Sequence, residues 1–137
     1  MISFFDILNI YEIDTSVLKL LRHSDAQIPI LHSFRNDIDR FEAYQRFQKF
    51  NRFGKAKQIA VFAPARGTTA LFLGLWDVKD HKKNSELTKK IHDTIDKHSL
   101  PHKWHEKAAW YELIRNKSLD DLSERLIIEW GSATVAW

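Results

Sequence analysis

The sequence predicts an α+β domain built on a mainly antiparallel curved sheet, or a partly open small β-barrel, with flanking helices. Three observations lead there. Apolar residues recur at helical spacing from Ile38 to Phe50, two strand-like runs are split by Pro64-Ala65-Arg66-Gly67, and strands and helices follow one another without regular alternation. No repeat, low-complexity tract or linker divides the 137 residues, so a single domain over 1–137 is expected, large enough to bury a core without disulfides or a structural metal.

Residues 3–10, SFFDILNI, read as a short helix with Ser3 as N-cap and Phe4, Ile7 and Leu8 on one side. Ser16 to His23 is ambiguous: Asp14 or Thr15 could cap a helix, yet the apolar density also fits a buried strand. From Asn36 onward Ile38, Phe41, Tyr44, Phe47 and Phe50 recur every third residue, which predicts one amphipathic helix. QIAVFA and TTALFLGLWDV read as a hairpin at the centre of the sheet, with Gly74 marking a bend, a bulge or a close approach. A helix is expected around Ser85 to His98, ended by Pro101. AAWYELI then reads as a strand, SLDDLSER as a capped helical turn and RLIIEW as a buried strand closing at Gly131.

Charge is unevenly spread although the net value is only +3. Residues 35–57 carry 7 basic and 3 acidic groups, residues 79–107 carry 8 and 5, and both ends are acidic. RFQKFNRFGKAK at 46–57 holds five basic residues and no acidic one, which fits an anionic partner or, more blandly, a solvated face. The absence of cysteine excludes disulfides, thiolate nucleophiles and cysteine-bound zinc. The start MISFFDILNIYEID has no basic leader, Asp6 interrupts its apolar run, and no uncharged stretch approaches the ~18 residues of a membrane span. A soluble, cytoplasmic protein without membrane contact is expected.

No complete catalytic constellation is visible. Five histidines fall between His81 and His105, but His98, His102 and His105 lack the spacing of a metalloprotease helix, so no metal is expected. His23 and Asp25 could orient one another, but Ser24 shares their short segment and no elbow motif follows. The four glycines are scattered and form no phosphate-cradling loop, so no cofactor is expected. Asp77-Val78-Lys79 has the D-x-K form of metal-dependent nucleases, for which Glu129 is the second carboxylate, giving an alternative catalytic set of Asp77, Lys79 and Glu129. What remains is the interleaving of rings and cations from Arg40 to Phe53, where rings at helical spacing read as core and the charges as phosphate contacts.

LLRHSD at 20–25, FEAYQRFQ at 41–48, LFLGLWDV at 71–78, YEL at 111–113 and ERLIIEWGSATVAW at 124–137 together resemble the N-terminal domain that precedes the catalytic module in bacterial GIY-YIG nuclease-family proteins. The resemblance spans most of the chain, and its most specific part is the closing strand followed by Trp-Gly and a second Trp. It implies a DNA-binding target-recognition domain of a restriction or defence endonuclease, excised from a longer enzyme, which reads a target or a modified base while a nuclease module cuts. It also implies a fold similar to the PUA-like and EVE-like nucleic-acid readers. The nuclease motif is missing, since Tyr11, Tyr44 and Tyr111 lie in no GIY or YIG sequence, and Ser132 to Ala136 stand where family members often carry an arginine.

The expectation is therefore a non-enzymatic chain whose partner is DNA, with a nuclease module or subunit nearby. Arg22, Arg46, Lys49, Arg52, Lys55 and Lys57 are the expected phosphate contacts. His23, Trp76, Trp130, Ser132 and Trp137 are the candidates for a base pocket. The alternatives are a stand-alone metal-dependent nuclease and a protein-interaction module.

Overall fold

A computed structural model describes residues 1–23, 29–101 and 105–136. Helix α1 (Phe4–Ile10) starts at a reciprocal cap: the Ser3 hydroxyl accepts the Asp6 N–H at 3.2 Å and the Asp6 carboxylate accepts the Ser3 N–H at 3.0 Å. Asp14 caps a single 3-10 turn, after which the ambiguous segment resolves as a strand, β1 (Leu18–Arg22). Two helices follow, α2 (Ile30–Asn36) and α3 (Ile38–Arg46), the second capped by the Asp37 carboxylate. The three-residue repeat runs past the end of α3, because Phe47 is already extended and begins β2 (Phe47–Gln48).

The expected hairpin is present as β3 (Gln58–Pro64) and β4 (Thr69–Lys83), turned at Gly67, whose φ of +62° is open to glycine at no steric cost. Strand β4 is longer than its apolar pattern and continues through the polar stretch to Lys83. Helix α4 (Lys89–Lys97) is capped by the Thr88 hydroxyl and ends before Pro101, at a turn with Ser99 at φ +51°. Strand β5 (Ala109–Asn116) leads through a 3-10 segment to the short strands β6 (Ile127–Glu129) and β7 (Thr134–Val135).

The architecture is α+β with a mixed sheet, which corrects the expectation of a mainly antiparallel sheet or partly open small barrel. The strand order is β1-β3-β4-β5-β2, with β6 paired to β4 and β7 to β6, and the sheet is not closed into a barrel. Strands β1 and β3 run parallel, Leu18 opposite Gln58 through Arg22 opposite Phe62. A parallel pair needs a long crossover, and α2 and α3 lie in the chain that supplies it. At the other end of the order β2 is only two residues long, too short to carry a closing ladder.

The chain forms two compact units, one of Met1–Ala26, Lys55–Asp77 and Ile114–Trp137, the other of Gln27–Gly54 and Val78–Leu113. The first unit is centred on Phe4, Phe62 and Phe72, whose rings lie 5.2 to 5.5 Å apart, with Leu119, Leu126 and Ile128 buried around them. The second buries Ile91 and Ile95 of α4 and pairs Phe34 with Phe41 and Phe53 with Tyr111, at 5.1 and 4.6 Å. Among the described residues no helix is long and apolar enough to cross a membrane.

In the first unit β4 carries a bulge. Val61 pairs with Gly74 but Phe62 with Phe72, so Leu73 is passed over in the register. Its carbonyl accepts from the Arg115 guanidinium at 3.1 Å and from the Ser123 hydroxyl at 2.6 Å instead. Gly74 lets that guanidinium in, since a Cβ there would stand 2.7 Å from Arg115 Cζ.

Candidate functional site

Side chains of successive strand residues point to opposite faces of a sheet. In the second unit this divides the ends of β4 and β5 between two clefts. His81, Lys83 and Ala109 line the first, whereas Lys82, Trp110 and Glu112 line the second.

The second cleft, about 520 Å³, has walls from α3 and α4. Arg46, Lys82, Lys90 and Lys97 face it together with Asp39, Glu42 and Glu112, so its charges largely offset one another. Arg46 is committed to structure, its guanidinium donating to the Leu113 carbonyl at 2.9 Å while its Nε is shut away without a hydrogen bond.

The first cleft, about 500 Å³, is within the usual range for small-ligand sites. One wall is the Phe50–Asn51 segment, which follows β2, and another is Glu106 to Ala108, ahead of β5. Phe50 is 49% exposed, a large ring left in solvent in a protein that buries most of its aromatics. His81 lies stacked on Tyr111, ring centres 5.2 Å apart and planes 26° from parallel. Tyr111 is itself buried, its hydroxyl accepting the Phe53 N–H at 3.4 Å and donating to Asn51 Oδ1. Burial pushes the Tyr111 phenol above its ordinary pKa, opposed by the Phe53 N–H. Lys83, Lys107 and Glu106 are the charged groups of the lining, and exposed Lys49 and half-buried Arg52 flank Phe50–Asn51 in the chain.

The expected site residues are dispersed. Lys49, Lys55 and Lys57 are exposed; Arg22 is half-buried at the end of β1, with its Nε enclosed and without a hydrogen bond. His23 is 4% exposed, and Trp76 is fully buried beneath the Arg115 guanidinium, 4.6 Å from its ring centre. Trp130 is half-buried against the edge of Phe62, and exposed Ser132 shares a hydrogen bond with the Thr134 hydroxyl. None of these four lines either cleft. Trp137, like Ser24, Asp25 and His102, lies outside the described residues.

The alternative catalytic set is not brought together. Glu129 sits opposite Thr69 in the β4–β6 register, eight residues along β4 from Asp77. That is roughly 25 Å at the usual strand rise, too far for one metal ion to touch both carboxylates. Asp77 instead accepts from the Gln58 and Asn116 amides at 3.0 and 3.1 Å, Glu129 accepts from the Thr68 hydroxyl at 2.7 Å, and Lys79 is exposed. Among the described residues no group of three His, Cys, Asp or Glu could hold a metal.

Sequence reasoning missed Asn51, Lys83, Asn84, Ser85, Glu106 and Lys107 as lining residues and assigned Phe50 to the core. The basic run from Arg46 to Lys57 was the available signal, since it encloses Phe50 and Asn51. In comparisons with protein-family models, curated proteins and solved structures, nothing matches the chain. The resemblance to a nuclease-associated domain therefore rests on the quoted residues alone.

Proposed function

We propose that the chain is a nucleic-acid-binding module that takes an unstacked base of DNA into the first cleft, as a target reader for cleavage carried out by a nuclease module. The observation that carries this reading is the cleft lining. An exposed aromatic ring, Phe50, and an imidazole already stacked on Tyr111 share it with Lys83 and Lys107. Base-on-ring stacking gives sequence-tolerant affinity, and lysines beside it answer the phosphates. The first cleft suits this role better than the second because its ring is more open, Phe50 being exposed where Trp110 is buried.

The test is fluorescence anisotropy with labelled single-stranded and duplex oligodeoxynucleotides at 50 and 200 mM salt, concentrations chosen on the order of those where counterion release dominates. Binding should weaken steeply with salt, and Phe50→Ala should cost about 1–3 kcal/mol on the single strand. Phe50 is at the surface, so the variant should remain folded. No binding at low salt, or wild-type affinity in Phe50→Ala, would overturn the proposal.

A further inference from the structure

We infer that Asn51 is a specificity-determining residue of the first cleft, held as a hydrogen-bond donor that selects thymine, whose exocyclic polar groups are both keto oxygens, over bases that carry an exocyclic amino group. The inference rests on the base-binding reading of that cleft and deepens it.

The orientation of the Asn51 amide follows from its neighbour. The Tyr111 hydroxyl has one hydrogen to give and receives the Phe53 N–H at 3.4 Å, so its own hydrogen goes to Asn51 Oδ1. Tyr111 is 1% exposed, and burial holds its phenol protonated well into the alkaline range, which keeps it a donor. Turning the amide over would present the Asn51 NH₂ to a hydroxyl that already receives one N–H, and would leave the buried phenolic hydrogen without an acceptor. The Phe53 and Tyr111 rings, 4.6 Å apart, brace the same segment. Asn51 itself is exposed and lines the cleft; with Tyr111 taking one lone pair of Oδ1, the two Nδ2 hydrogens are the larger part of what it offers there.

The lining cations act in the same sense, because Lys83 and Lys107 can only donate. Acceptors are present in Glu106 and in Asn84, whose Nδ2 is used on the His105 carbonyl at 3.1 Å, but the donors predominate. A donor-rich lining favours thymine, with its two keto oxygens, over cytosine and adenine, whose edges carry an exocyclic amino donor.

Asn51→Asp isolates this property. The aspartate still accepts from Tyr111, so the local fold is kept, while the free end of the side chain changes from donor to acceptor. Affinities of wild type and variant for dT15, dC15 and dA15, oligomers of about the length one binding domain covers, are compared by anisotropy. The added negative charge weakens all three alike and cancels in the ratio. The wild-type preference for dT15 should fall by roughly tenfold in Asn51→Asp, the scale of one hydrogen bond to a base edge. Tyr111→Phe, which frees the amide to turn, should lower the same ratio, and serves should the aspartate variant misfold. A dT15 ratio unchanged in the folded variant overturns the inference, as does a wild type with no preference for dT15. Failure of the wild type to bind any of the three instead removes the underlying base-binding proposal.

Discussion

The Leu73 carbonyl, passed over by the β3–β4 register, is recovered by two side chains, and one of them enters through the space that Gly74 leaves. Arg115 thereby holds three things at once: that carbonyl, the Asp120 carboxylate at 2.8 Å, and the face of Trp76. A methyl at position 74 meets only the far end of a flexible side chain, so the cost of Gly74→Ala lies in displacing Arg115 from these partners. We expect a loss of about 2 kcal/mol, the scale of a hydrogen bond to a charged group. Chemical denaturation of Gly74→Ala, Arg115→Ala and the double variant decides this: the glycine substitution should cost markedly less once Arg115 is gone. At this scale the sequence was partly legible. A glycine between large apolar strand residues announces a bulge or a close approach, and here it serves both. Trp76 was misleading for the converse reason. A tryptophan near a polar strand end suggests an open pocket, but Arg115, far away in sequence, covers its ring.

Elements were legible where local chemistry alone decides them. Helix α1 is written in Ser3, Asp6 and the Phe4–Leu8 pair; removing the cap with Ser3→Ala should cost about 1 kcal/mol in thermal or urea unfolding. The hairpin β3–β4 followed from two apolar runs and a glycine turn. Element ends were hidden wherever tertiary pairing overrides periodicity. The aromatic repeat continues through Phe47 and Phe50, yet Phe47 leaves the helix to pair with Trp110 in β5, and Phe50 is left in solvent. The polar continuation of β4 from Val78 to Lys83 shows no alternation of apolar and polar residues, so His81 and Lys83 could not be placed on one face. That is why the lining of the first cleft was not visible in advance: it depends on strand parity in a segment without a strand signature.

At the scale of the molecule, strand direction and pairing are long-range properties. The parallel partnership of β1 with β3 has no local signature, which is how an open mixed sheet came to be expected as a curved antiparallel one. Each unit also carries a tyrosine held protonated. Tyr11 in the first is raised by its hydrogen bond to Asp121, and Tyr111 in the second by burial. A phenol whose folded pKa lies above its unfolded one adds stability that is fully present below the unfolded value and is lost as pH rises through the folded value. Unfolding midpoints should therefore fall above about pH 10, the ordinary tyrosine range, with tyrosinate absorbance rising later in the folded protein than in urea. Coincidence of the two titrations would contradict this.

The first unit is assembled from three separate stretches of chain, and the join between its extremes has a consequence for biosynthesis. The Phe4 N–H is bound by the Ala133 carbonyl at 2.7 Å, and Ser3 bridges Thr134. A ribosome makes residues 3 and 4 long before 133 and 134, while the second unit is drawn from residues no later than Leu113. On emergence, α1 can meet Phe62 and Phe72 once β3 and β4 are made, but its backbone ties to Ala133 and Thr134 wait until β6 and β7 appear. A nascent chain stalled before residue 126 lacks Leu126, Ile128 and Ala133 of the core that encloses Phe4, and the apolar face of that helix is then what such a chain offers to a chaperone.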